Sequence, residues 1–302
     1  LKIIELNLGT ICNLKCRICG PWSSNKWHHD YLKLIEVEPA QTASIKTYTK
    51  RVEKWTHSFD DDSLFWQGFV NILPTLETIN VYGGEPLLVK KQWDVLSESV
   101  TKGYSKNQKI EFNTNGTVFD IEKLKILKGF KEVNLSVSID DIGDRFEYQR
   151  HPAKWDDVWS NMLKFKETCE EFGFELAVCV TISNYNIFKI EEILQFLVDE
   201  DVPFYINMLH DPPNYGVLNL HQSIKEIVVD KLNELIKVTE KIELRDSYIN
   251  IVNYLNSKQA NASHWRYFST MVKLLDEIRN ESFEETFPEY HEVIQSLKDS
   301  DE

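Results

Sequence analysis

The sequence predicts an α/β fold: parallel strands alternating with helices, in a sheet curled or partly closed around a polar interior, followed by a helical extension. Three observations carry this. Short β-rich runs alternate with helically spaced apolar residues up to about residue 210. Each run has one apolar and one polar face, whereas parallel strands buried on both sides read as apolar almost throughout. From about residue 211 the strand pattern stops and helical stripes take over.

Six strands are predicted in order. The first, over residues 3–8, sets Leu6 and Leu8 against Glu5 and Asn7. The second, over 78–82, sets Ile79 and Val81 against Thr78, Asn80 and Tyr82. The third, over 109–113, sets Ile110 and Phe112 against Glu111 and Asn113. The fourth, over 133–140, opposes Leu135, Val137 and Ile139 to Asn134, Ser136, Ser138 and Asp140. The fifth, over 175–183, opposes Leu176, Val178 and Val180 to Glu175, Cys179 and Thr181. In the last, over 204–209, Ile206 and Met208 oppose Tyr205 and Asn207. Side chains alternate across a strand, so the apolar set lies under helices and the polar set lines something wet or reactive. Helical stripes connect the strands, as in Trp155, Val158, Met162, Phe165 and in Ile187, Ile190, Leu194, Leu197. Beyond "HDPPNYG", Ile224, Ile227, Val228, Leu232, Leu235 and Ile236 form one stripe, and further helices run through Tyr254, Met271, Leu275 and Ile294. The expected division is a core over residues 1–210 and a helical extension over 211–302, with "KDSDE" as a frayed tail.

Composition excludes several classes. A net charge of -14 disfavours phosphate-backbone binding, so no nucleic acid partner is expected. No apolar run is long enough to span a bilayer, and the first residues form a strand pattern rather than a signal peptide. The chain opens on Leu1, which leaves room for a preceding segment. Five unevenly placed cysteines suit a reducing compartment in which thiols serve as ligands, so a cytoplasmic location without a membrane is expected.

Three of those cysteines, Cys12, Cys16 and Cys19, share the loop "LGTICNLKCRICGPW" after the first strand, at the expected working rim of the sheet. One such loop wraps its thiolates around a single inorganic centre. Structural zinc wants four protein ligands, with His28 or His29 as the competing fourth. A cubane iron–sulfur cluster held by three cysteines keeps one iron open, which is a sign of chemistry. Lys15 and Arg17 beside the loop suggest a local basic patch on which an acidic electron carrier could dock.

The run C-x3-C-x2-C after a first strand resembles the cluster loop of the radical S-adenosylmethionine (SAM) superfamily. The resemblance implies a partial (β/α)6 TIM-like barrel, a [4Fe-4S] cluster held by Cys12, Cys16 and Cys19, and reductive cleavage of SAM. The product is a 5′-deoxyadenosyl radical that abstracts hydrogen from substrate. It also implies a low-potential electron donor such as flavodoxin or ferredoxin. The family often has an aromatic residue before the third cysteine, against the adenine; here it is Ile18, still apolar.

Three further segments carry the resemblance, in the family's order. "VYGGEPLL" is similar to the GGEP motif that binds the amino group of SAM, which assigns Gly83, Gly84, Glu85 and Pro86 to the cofactor. On that assignment Glu85→Ala weakens SAM binding while sparing cluster assembly. "FNTNGT" is similar to a family Thr-Asn-Gly and places Asn113 and Asn115 beside the SAM or substrate pocket. In "SVSIDD" and "FEYQRHP", Ser138 and Arg150 occupy the places of a serine and an arginine that contact the ribose or carboxylate of SAM, with Asp140 as a polar neighbour. An arginine fork suits a carboxylate.

Local features also resemble the SPASM/twitch group, whose members often modify peptides or proteins and add an auxiliary-cluster domain. This sequence has no cysteine after Cys179 to hold such a cluster. Three functions are therefore in play. The first is a radical SAM enzyme acting on a peptide or protein. The second is a radical SAM enzyme acting on a small molecule such as a nucleotide or modified base. The third is a non-catalytic metal-binding interaction module, against which the glycine–glutamate turn argues. Elsewhere, His28 and His29 read as a helix-surface pair. Trp22, Trp27, Trp66, Trp93 and Trp155 read as packing residues, and Cys169 and Cys179 as buried thiols.

Overall fold

The computed structural model describes residues 2–37, 50, 63–257 and 262–300. Six strands form one sheet in sequential order: β1 (Ile3–Asn7), β2 (Thr78–Tyr82), β3 (Lys109–Thr114), β4 (Glu132–Ser138), β5 (Glu175–Ile182) and β6 (Phe204–Met208). β1 to β4 pair in parallel, with Ile4 opposite Ile79, Val81 opposite Phe112 and Phe112 opposite Leu135. Each step adds the next strand on the same side, the strand order of a partial (β/α)6 barrel. The chain divides into two compact units, one of Leu1–Ser138 with Arg150–Val178, the other of Ile139–Gln149 with Cys179–Glu302.

In the first unit the strand alternation becomes a burial alternation. Leu6, Ile79, Val81, Ile110, Phe112, Val133, Leu135 and Val137 are buried, while Glu5, Asn7, Tyr82 and Asn113 on the other face are exposed. Burying each such aliphatic or aromatic side chain contributes about 1.5–3 kcal/mol. The connecting helices are α1 (His28–Val37), α2 (Ser63–Ile72), α3 (Lys90–Thr101), α4 (Ile121–Leu127) and, beyond Arg150, α6 (Trp155–Phe172). α6 buries Val158, Met162, Phe165 and Cys169 at spacings of three and four residues, and it stops where Gly173 takes φ of 72°. Trp93 of α3 meets Phe112 of β3, ring centroids 5.5 Å apart. Asp120 caps α4, accepting from the amides of Glu122 and Lys123 at 3.1 and 3.3 Å. Trp27, Trp66 and Trp93 are core residues, as expected. Trp22 is not: it is 43% exposed. Trp155 is half-buried and stacks on Trp159.

The second unit contains the end of β5, β6 and the helices α5 (Gly143–Gln149), α7 (Ile190–Asp199), α8 (Gln222–Val238), α9 (Ile242–Leu255), α10 (Ala262–Arg279), α11 (Phe283–Thr286) and α12 (Pro288–Ser300). Ile224, Val228 and Leu232 bury the α8 stripe, whereas Ile227 faces solvent. Lys298–Ser300 close α12, and Asp301 and Glu302 lie outside the described residues. Asp140 is a brace rather than a rim residue: its Oδ1 accepts from the Thr181 amide at 2.9 Å, and Asn186 donates to its backbone carbonyl. Tyr148 of α5 donates to Asp276 of α10 at 2.8 Å and packs edge-on against Phe287, centroids 5.3 Å apart. Asp141 is buried and accepts from the Ile142 amide, Arg145 Nε and Gln149 Nε2 at 2.9–3.0 Å. Desolvation pushes its carboxyl up to about 6 despite Arg145.

Candidate functional site

Three loops at the C-terminal ends of β1, β2 and β3 are knitted together in the first unit. The cysteine loop leaves β1, and its Ile11 carbonyl accepts from the Glu85 amide at 2.7 Å. Gly84 makes that approach possible. It holds φ of 56°, and a Cβ there would lie 2.3 Å from the Ile11 carbonyl oxygen. Any other residue would be strained and would push the cysteine loop off the turn. Gly83, at φ of 86°, leaves equal room for Asn7. In the structure the Asn7 side chain of β1 approaches Gly83, and the cysteine-loop backbone at Ile11 approaches Gly84. Pro86 is buried and opens the short helical turn that leads away.

Glu85 has none of its surface exposed. Its Oε1 accepts from the Leu87 amide at 3.0 Å and the Thr114 hydroxyl at 2.8 Å, and its Oε2 accepts from the Asn115 amide at 2.7 Å. Burial pushes the carboxyl above its usual range, opposed by those donors and by the charge of Arg150. The carboxylate is thus the pin joining the second loop to the third. Asn115, buried at the end of β3, continues the chain of contacts. Its Nδ2 donates to Asn13 Oδ1 at 2.9 Å and points to Cys12 Sγ at 3.8 Å. Thr117 Oγ1 donates to Asn115 Oδ1 at 2.6 Å and receives from Asn13 Nδ2 at 2.7 Å. The Asn115 side chain is thus turned onto the cysteine loop. Asn113, by contrast, is exposed on the polar face of β3.

The three thiols act on one another. Cys12 is half-buried, and burial followed by the neighbouring Cys16 pushes its thiol up to about 11, against hydrogen bonds from the Leu14 amide and Ser24. Cys19 is pushed well above its ordinary value by a hydrogen bond with Cys16 and then by burial, while Arg150 opposes the shift. The loop is held by Cys19 N–H to Cys16 O at 3.0 Å, Trp27 Nε1 to Cys16 O at 3.1 Å and Lys15 N–H to His151 O at 2.8 Å. The last bond brings the segment bearing Arg150 to the cysteines. Arg150 is buried, and its charge favours the ionised forms of both Cys19 and Glu85. Ser138, half-buried, ends β4.

Among the described residues, no three His, Cys, Asp or Glu side chains are arranged to hold a single metal ion. His28 and His29 lie exposed at the start of α1, so the zinc reading lacks its fourth ligand there. Three thiols on one loop, beside a cationic side chain, fit a soft, multi-iron group, whose binding would deprotonate them. The expected basic patch is absent from this loop: Arg17 is fully buried, and Lys15 is ion-paired to the buried Asp30 at 2.9 Å. Sequence reasoning missed Asn13, Thr114 and Thr117. Their signal was the polar density of "FNTNGT" beside "CNLKC", since polar side chains crowded into buried turns must find partners.

No curated protein sequence matches the chain. Among solved structures, native anSMEcpe with bound AdoMet superposes with a TM-score of 0.50 at 16% identity, covering 93% of this chain and 67% of that one. Native anSMEcpe with bound AdoMet and Cp18Cys peptide gives 0.50 at 15% identity over 86% and 62%. Streptococcus suis SuiB bound to S-adenosylmethionine gives 0.47 at 13% identity over 78% and 48%. The chain therefore spans about two thirds or less of the length of these structures. At these identities the two anSMEcpe superpositions speak for the fold alone, a partial (β/α)6 barrel. The sequence model of the Radical SAM superfamily matches residues 6–197, more than half the chain and all three of the loops described above. The chain is an enzyme of the Radical SAM superfamily, whose members use a [4Fe-4S] cluster and S-adenosylmethionine.

Proposed function

We propose that the chain abstracts hydrogen from a peptide or protein substrate. Cys12, Cys16 and Cys19 hold the cluster in this reading. Arg150 offers its guanidinium to the SAM carboxylate, Ser138 and Pro86 border the cofactor, and the Gly83–Gly84–Glu85 turn presents its backbone to the amino group. When bound, the cluster supplies an electron that cleaves SAM into methionine and a 5′-deoxyadenosyl radical, the hydrogen-abstracting agent. The protein's own work is to hold the thiols on one rigid loop, to keep water from them, and to balance charge through Arg150 and Glu85. The observation carrying this is the hydrogen-bonded union of the cysteine loop with the turns after β2 and β3. A structural metal has no use for the second and third loops.

The peptide part of the proposal draws on the anSMEcpe complex with a bound peptide. Residues 1–210 then form the catalytic core, and the electron comes from a low-potential donor such as flavodoxin or ferredoxin. No described helix is long and apolar enough to cross a membrane, and a cytoplasmic site of action belongs to the same proposal. Anaerobic reconstitution with iron and sulfide assay, followed by electron paramagnetic resonance, tests the chemistry. One cubane whose signal changes on adding SAM, and 5′-deoxyadenosine that disappears in Cys16→Ala, are expected. Zinc without iron would refute the cluster assignment. Deuterated peptide that leaves no deuterium in 5′-deoxyadenosine, where a nucleoside does, would move the substrate to the small-molecule class.

A further inference from the structure

We propose that the Asn115 side-chain amide is an N–H···S donor to Cys12 that sets the reduction potential of the cluster; the inference rests on the cluster assignment above. The amide can face only one way. Its Oδ1 receives both the Thr117 amide at 3.0 Å and the Thr117 hydroxyl at 2.6 Å, so the oxygen end is fixed by two donors. The Nδ2 end then has two hydrogens and two acceptors, Asn13 Oδ1 at 2.9 Å and Cys12 Sγ at 3.8 Å. A flipped amide would aim N–H groups at the Thr117 N–H and leave Cys12 facing a carbonyl. The backbone of Asn115 is pinned by Glu85 Oε2 at 2.7 Å, and the residue is 8% exposed, so the donor does not swing into water. The Leu14 amide also donates to Cys12 Sγ, at 3.4 Å, so this sulfur sits in a small nest of N–H groups.

The consequence follows from charge. A reduced cluster carries one more negative charge than an oxidised one, and part of that charge resides on its cysteine sulfurs. Hydrogen-bond donors aimed at those sulfurs stabilise the reduced form more and raise the potential. Groups outside the ligand set tune metal centres in this way. Asn115 is accordingly a positioning residue that acts through Cys12.

The test compares reconstituted wild type with Asn115→Leu, which keeps similar volume and removes the donor. Potentiometric titration followed by electron paramagnetic resonance is expected to show a several-fold smaller reduced fraction in the variant at a fixed potential. Equal potentials overturn the proposal. A second measurement needs no variant: wild type carrying asparagine labelled with 15N only at its side-chain amide, reduced and examined by pulsed resonance. A nitrogen coupling to the cluster supports the proposal, and its absence overturns it even if Asn115→Leu does not fold. Wild type that binds no iron or sulfide at all would refute the cluster assignment itself, an outcome distinct from unaltered potential.

Discussion

At the scale of single residues, the sequence nominates Cys12, Cys16 and Cys19 by their spacing and the glycines by their place at the end of a strand, and the structure joins the loops that carry them. What they touch was not readable, because the partner of each lies in a loop far away in sequence. Gly84→Ala makes the point testable. Its Cβ would meet the Ile11 backbone at 2.3 Å with φ at 56°, so the cysteine loop must move. Iron and sulfide per chain after reconstitution are expected to fall several-fold, with circular dichroism unchanged. Glu85→Ala goes further than the family resemblance implies. The substitution strands three buried donors, from Leu87, Thr114 and Asn115, at about 1–3 kcal/mol for each group left unsatisfied. Iron retention through gel filtration is therefore expected to fall along with SAM binding; retention at wild-type level would restore the narrower cofactor role. Arg17 was misplaced for a related reason. A charged residue between two cysteines looks solvent-exposed in sequence, and only the folded loop reveals it as fully buried.

At the scale of elements, the strands were the easy part. The alternation of Val133, Leu135 and Val137 with Asn134, Ser136 and Ser138 fixes a two-residue period, and the structure buries the first set while leaving the second half-buried. Predicted strand ends fall within a residue or two of those observed. Where they overshoot, the Ile139 amide still donates to the Cys179 carbonyl of β5 at 3.2 Å, and beyond it the Asp140 side chain is used as a brace. Helix stripes identify the buried face less sharply, since Ile227 fits the period and still faces solvent. Caps are local and should behave locally. Removing the α4 cap with Asp120→Ala is expected to cost about 1 kcal/mol in urea unfolding. The Asp120 carboxylate accepts from the amides of Glu122 and Lys123, forward into α4 and away from the Asn115 end of its loop, so cluster content should stay at the wild-type level.

At the scale of the molecule, the parallel order of six strands was legible because every crossover carries a helical stripe. The partition of the chain was not, since it depends on which side chains meet across long separations. One property of the second unit shows in its pH response. Desolvation raises Asp141 from 3.8 to about 6, so between those values the folded chain binds this proton more tightly than the unfolded chain. Stability from this group is therefore greatest at low pH, declines as pH rises toward 6, and is lower by about 3 kcal/mol at neutrality. Thermal melts at pH 4.5 and 7 should differ less in Asp141→Asn than in wild type; an unaltered difference would assign the slope to other groups.

The order in which the chain visits its two units has a practical meaning for anyone wishing to dissect the protein. Ile139–Gln149 is lent to the second unit before the polypeptide returns, at Arg150, to finish the first. No single scission can liberate either half intact. A fragment stopped at residue 210 would strand Tyr148 without the Asp276 carboxylate and the Phe283 and Phe287 rings that enclose it. Dissection is better pursued by substituting side chains in the whole polypeptide than by shortening it.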